Sequence, residues 1–283
     1  KPSSIRPMDS SHSSNMERKE SFMFSNRSQV LRGCSLAVAA LAAVACVGLA
    51  NTASASTITW GAAANISGDT DVSTAGSLVV ANEFGSSTTP ETVNGVTFSP
   101  FTASPSAVAK QGAVTLSAPT SGDTVETMDV GFGPSGFSAS YNALLNGAAA
   151  LGNGPTATNG LDPMDLTITG LTSGAQYQIE IWVNDSRGYP VSRQETLSGS
   201  SSDSAVISYL MSPPGQFITG TFTADNTGSQ TVSMTPVDNS YGSNNADAQI
   251  NAFQLRVVPE PATLALVAVG GLGLLLLKRR KTV

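Results

Sequence analysis

The middle of this sequence predicts an all-β fold: a single antiparallel β-sandwich carrying one short helix. Three observations predict it. Short β-branched and aromatic runs, separated by Gly-, Ser-, Thr-, Asn- and Asp-rich turn signals, recur along residues 56–257. One of them, Tyr177–Asn184, alternates with a period of two. Only Ser138–Ala150 has helical spacing, and the two strongly apolar stretches lie near the chain ends, where they read as membrane-directed segments and not as core.

Residues 1–22 read as a misassigned start or an extended leader, because Met23 followed by Arg27 and Arg32 makes a more ordinary beginning. Residues 23–55 read as a signal peptide. Arg27 and Arg32 precede the apolar run Ser35–Ala50, and the small residues Ala53 and Ala55 place cleavage before Ser56. Two other readings fit less well. A transmembrane anchor would need a longer run, and a lipid attachment at Cys46 would need Leu three positions upstream, where Ala43 stands.

Within the body, strands are expected at Thr57–Trp60, Leu78–Asn82, Val93–Phe98, Ala113–Leu116, Met164–Thr169, Tyr177–Asn184, Ala205–Leu210, Phe217–Thr223, Gln230–Thr235 and Gln249–Val257. In the clearest, Tyr177, Ile179, Ile181 and Val183 form the apolar face, which leaves Trp182 on the polar face with Gln178, Glu180 and Asn184. The last strand sets Phe253, Leu255 and Val257 on one side. The helix would be capped by Ser138 and would bury Tyr141, Leu144 and Leu145.

Residues 258–283 form a distinct tail. Val258-Pro259-Glu260-Pro261 leads into the uncharged run Ala262–Leu277 and then into Lys278, Arg279, Arg280 and Lys281. Sixteen residues of helix reach about 24 Å, slightly less than a hydrocarbon core of about 30 Å, and snorkelling by Lys278 makes up part of the difference. The basic cluster belongs on the cytoplasmic side, as do Arg27 and Arg32. Both ends then sit inside, and the body between them lies outside.

The body holds four Lys and Arg against sixteen Asp and Glu, a formal charge of −12, which repels phosphate backbones and excludes nucleic acid as a partner. His12, Cys34 and Cys46 all precede the expected cleavage point, so the body has neither disulfide nor histidine. Ser-His-Asp and Cys-His nucleophilic chemistry and the usual zinc sites are thereby excluded. Gly131-Phe132-Gly133 lacks the remainder of any phosphate loop. Hydrolysis by a carboxylate pair stays open in principle, although sixteen acids supply chance pairs easily. The expectation is a protein that is not an enzyme and has no obligatory cofactor.

Two ligand readings remain. Calcium would suit the acidic loops at Asp69 and Asp71, or at Asp238 and Asp247, none of which completes an EF-hand. A carbohydrate would suit an outward Trp182 beside Asn184, Asp185, Arg187 and Tyr189. The competing reading has Trp182 packed beneath that loop and Arg187 paired with Asp185.

Pro259-Glu260-Pro261, the apolar span and the basic cluster together resemble the PEP-CTERM sorting tail. The resemblance implies recognition of those three residues by exosortase, a membrane-embedded transpeptidase-like enzyme of Gram-negative bacteria. It implies signal peptidase as a second partner and a transient stay in the inner membrane. The destination would be the cell surface or the extracellular, exopolysaccharide matrix. The stretch Leu166–Val257 resembles the bodies of planctomycete surface proteins carrying this tail, which implies a jelly-roll or galactose-binding-like sandwich. The function expected is that of an exported, non-catalytic surface or matrix protein. A lectin-like module binding surface polysaccharide is the alternative.

Overall fold

The computed structural model describes residues 56–133, 136–152, 161–187, 193–200, 202–209, 215–237 and 247–258. The sorting residues Pro259, Glu260 and Pro261, the basic cluster Lys278–Lys281, Ala53 and Ala55, and the ligand candidates Tyr189 and Asp238 lie outside them.

The strands in chain order are β1 Thr59–Trp60, β2 Ala64–Asn65, β3 Ser77–Phe84, β4 Glu91–Val93, β5 Val96–Phe101, β6 Val108–Gln111, β7 Val114–Ser117, β8 Thr124–Asp129, β9 Gly147–Gly152, β10 Met164–Thr169, β11 Gln176–Val183, β12 Arg193–Ser198, β13 Ala205–Tyr209, β14 Gln216–Thr223, β15 Ser229–Pro236, β16 Gln249–Ile250 and β17 Ala252–Val257. One helix, α1 Ala139–Asn146, precedes β9. The strands form three sheets. An eight-stranded sheet runs β1-β14-β11-β17-β3-β5-β4, with β2 also paired to β14. A six-stranded sheet runs β13-β12-β15-β10-β7-β6, and a three-stranded one runs β16-β9-β8.

One apolar cluster draws on all three sheets. It includes Ile179, Ile181, Phe253 and Leu255 from the first, Leu166, Leu197 and Met234 from the second, and Val125, Leu151 and Ile250 from the third. A second cluster lies on the other face of the largest sheet, where Tyr141, Leu144 and Leu145 of α1 cover Val93, Phe98, Trp182 and Ala252. The side chain of Ser138 accepts the backbone N–H of Tyr141 at 3.1 Å, the cap that starts this helix.

The structure departs from expectation in places with clear physical reasons. The helix stops at Asn146, and the alanines that follow pair as β9 with β8 and β16. Gly147 makes this possible: a Cβ there would lie 2.3 Å from the Phe84 carbonyl oxygen and 2.7 Å from the Gly85 Cα. The run Val93–Phe98 is two strands, because Asn94 and Gly95 take φ of 47° and 76° and turn the chain back on itself. Gln249–Val257 is likewise divided, at Asn251. The pairing is not purely antiparallel, since β3 and β5 run parallel after the chain detours through β4. Among the described residues, no helix is long and apolar enough to cross a membrane.

Candidate functional site

The predicted ligand loop follows β11, and β11 explains what becomes of it. Its odd positions from Tyr177 to Val183 face the first cluster, and on the other side Glu180 meets Ser73 and Trp182 meets Tyr141 of α1. Trp182 is fully buried, as the reading that packs it away from solvent has it, and not outward as the carbohydrate reading requires. Its ring stacks on Phe217 at 6.3 Å and meets the edge of Phe98 at 5.8 Å. Its Nε1–H donates to the Tyr141 hydroxyl at 3.1 Å, and that hydroxyl donates to Asp71 at 3.1 Å. This ring offers no face for a sugar to stack on.

The same burial consumes its neighbours. Asn184 donates its backbone N–H to Asn251 Oδ1 at 2.6 Å and its side-chain amide to the Leu145 carbonyl at 3.3 Å. Asp185 accepts from Nε and Nη2 of Arg187, at 2.9 and 2.7 Å, and from Nη1 of Arg193 at 2.7 Å. Among the described residues of this group, Arg187 alone is exposed. Arg193 continues inward. It donates to the Asp247 carbonyl at 2.7 Å, and its guanidinium lies 5.1 Å from the centre of the Tyr209 ring. The Tyr209 hydroxyl donates to Glu195 in a short hydrogen bond, and Glu195 also accepts the Gln249 N–H at 3.1 Å. Burial pushes the Glu195 carboxyl up to about 7 and the Tyr209 phenol further above its ordinary range. Sequence reasoning passed over Arg193, Glu195, Tyr209, Gln249 and Asn251. No motif marks them, because only tertiary packing distinguishes a buried polar strand residue from a solvated one.

Among the described acidic candidates, Asp71 is the one held by several hydrogen bonds. Asp69 and Asp71 form a short 3-10 turn, in which the Asp71 carboxylate accepts from Ser67 N at 2.6 Å and Gly68 N at 3.0 Å as well as from Tyr141. Asp247 is half-buried, and burial raises its carboxyl. Beside Trp182, Glu180 is almost fully enclosed and accepts from Gln254 at 2.5 Å and Ser73 N at 3.1 Å. Among the described residues, no group of three or more Asp or Glu converges as a metal centre.

A separate cavity of about 150 Å³ lies between the end of β3 and the end of α1, lined by Glu83, Ser86, Asp129 and Asn146 among others. Glu83 is buried, and its Oε1 has no hydrogen-bond partner among the described residues. Burial and, next, the charge of Glu91 push its carboxyl up to about 8.

The last described residue leads out of the body beside β11. Here β17 is an interior strand, paired with β11 on one side and β3 on the other. Val258 extends the β11 pairing by one bond, donating to the Gln176 carbonyl at 3.0 Å. The buried guanidinium of Arg256 fastens this exit, donating to the carbonyls of Thr74, Ala75 and Gly76 at 3.1, 2.7 and 2.9 Å. The chain then continues from the final ladder residue straight into Pro259. Residues 257–281 match the PEP-CTERM protein-sorting motif. The PEP-CTERM motif implies export, a membrane-anchored stage, processing by exosortase and delivery toward the cell surface.

No curated protein matches the chain. Solved structures with some likeness include the enzymatically active domain of tailspike protein 4 of bacteriophage CBA120, at 12% identity and a TM-score of 0.30 over 52% of this chain and 20% of that one. Another is a family GH115 4-O-methyl-α-glucuronidase with specificity for decorated arabinogalactans, at 13% identity and a TM-score of 0.29 over 53% of this chain and 18% of that one. The chain thus spans about a fifth of each. At these scores the likeness carries no argument about fold or activity.

Proposed function

We propose that this chain is a non-catalytic component of the bacterial cell surface or extracellular matrix. It is exported by a signal peptide ending at Ala55 and handed to exosortase through Pro259, Glu260 and Pro261. The observation that carries the reading is the PEP-CTERM match beginning where the last strand of the body ends. The acidic, His-free and Cys-free body is the second support. In this reading the two larger sheets are the faces of one sandwich, and the surface supplies bulk, charge and Ser/Thr hydroxyls in place of a reaction centre.

The lectin-like alternative rests on a sandwich with an outward Trp182 beside the loop to Tyr189, and the burial of that ring takes away its stacking platform.

Mass spectrometry of both mature termini, combined with cell fractionation, tests the reading. The expected result is a chain beginning at Ser56, lacking residues 262–283, in the surface or matrix fraction. An intact chain in the cytosol would overturn it.

A further inference from the structure

The expected membrane segments belong to opposite ends of the chain, yet the described ends of the body meet at one end of the eight-stranded sheet. Thr59 pairs with Thr221, Thr221 with Gln178, and Gln178 with Arg256, so one row crosses β1, β14, β11 and β17. Two residues further along that direction stand Thr57, Thr223, Gln176 and Val258. Ser56, Thr57, Gln176 and Thr223 line one open groove of about 420 Å³, and Val258 is bonded to Gln176. Three strand spacings of about 4.8 Å put positions 57 and 258 roughly 14 Å apart.

The connecting segments are short. From Val258 to Ala262, where the apolar run begins, the chain spans at most about 14 Å, and from Ala50 to Ser56 at most about 20 Å. The opposite end of β11 is about 23 Å away along the strand. Two tethers this short, fixed at one end of a rigid sheet, leave little freedom to turn that end away from the bilayer. The same end also carries Leu78, opposite Arg256, and Val79, which are 42% and 46% exposed.

We infer that this end of the sheet, marked by Ser56, Gln176, Thr223 and Leu78, faces the lipid headgroups while both apolar segments are in the membrane, with the loop after β3 pointing away. The inference rests on the export-and-sorting reading and adds an orientation to it. Signal peptidase and exosortase would then meet the body at one corner, and removal of the leader would leave it held through β17 alone.

The test uses the full chain with both apolar segments intact and Cys34 and Cys46 replaced by Ser. It is reconstituted in phosphatidylethanolamine–phosphatidylglycerol vesicles doped with a headgroup-spin-labelled lipid. A fluorophore is placed at Thr223→Cys, or at Asn226→Cys in the next loop as a second near-end position, and compared with Thr88→Cys in the loop after β3. The expected result is several-fold stronger quenching at positions 223 and 226 than at 88. Equal quenching, or the reverse order, in protein that floats with the vesicles overturns the orientation and leaves the sorting reading standing. Failure to float overturns both.

Discussion

At the residue scale, Trp182 joins two elements that lie far apart in sequence. Its ring packs between Phe98 and Phe217, and its N–H reaches Asp71 through Tyr141. Trp182→Ala is therefore expected to lower the stability of the mature protein by about 3–5 kcal/mol, with Trp182→Phe costing less, as read from urea unfolding. Two buried carboxyls set a pH dependence. Glu83 and Glu195 hold their protons in the folded state up to about 8 and about 7, whereas an unperturbed Glu releases its proton near 4.5. The folded state then binds more protons at these two groups than the unfolded one between those values, so their contribution to stability is full below about pH 4.5, falls as pH rises toward 8, and is gone above it. Glu83→Gln removes one of these ionisations. The variant is expected to gain on the parent at pH 9 but not at pH 5, a comparison that urea midpoints at pH 5, 7 and 9 make directly. The site was only partly legible in the sequence at this scale. The Arg187–Asp185 pair followed from proximity. For Trp182 the sequence left two readings, outward or packed beneath the loop, because period-two alternation identifies a strand's apolar face without saying whether its other face is also covered; the structure bears out the packed one.

At the scale of elements, local chemistry marks where segments start and stop. Ser138→Ala removes the acceptor for the Tyr141 N–H and is expected to cost about 1 kcal/mol, and Ser138→Gly a few tenths, measured by thermal unfolding. Gly147→Ala would force a methyl group against the Phe84 carbonyl and Gly85, so its loss should exceed that of the cap. The strands at Met164–Thr169 and Gln176–Val183 could be read from their β-branched alternation, and the helix start from Ser138. The Asn94-Gly95 turn signal stands in the sequence but was overridden by the surrounding Val and Phe residues, which read as one continuous strand. By contrast β9, Gly-Ala-Ala-Ala-Leu-Gly, carries no strand propensity of its own. It is extended because Gly147 meets Gly85 at close range and β8 and β16 supply hydrogen bonds on either side.

At the scale of the whole molecule, the largest sheet depends on its last strand. A chain ending at Val258 retains both ladders of β17 and is expected to remain folded, with its β-type circular dichroism preserved. A chain ending at Asn251 loses the partner of both β11 and β3, and is expected to unfold or to be degraded rapidly in limited proteolysis. The placement of β17 also governs how the body would respond to tension under the proposed attachment through its C-terminal end. An edge strand pulled from one end peels away one hydrogen bond at a time. Tension entering at Val258 instead runs along a strand bonded on both sides, with Arg256 gripping three carbonyls at the point of entry. The load is borne as shear, with many bonds resisting together. The part of the fold nearest the attachment is thus built to be the last to give way.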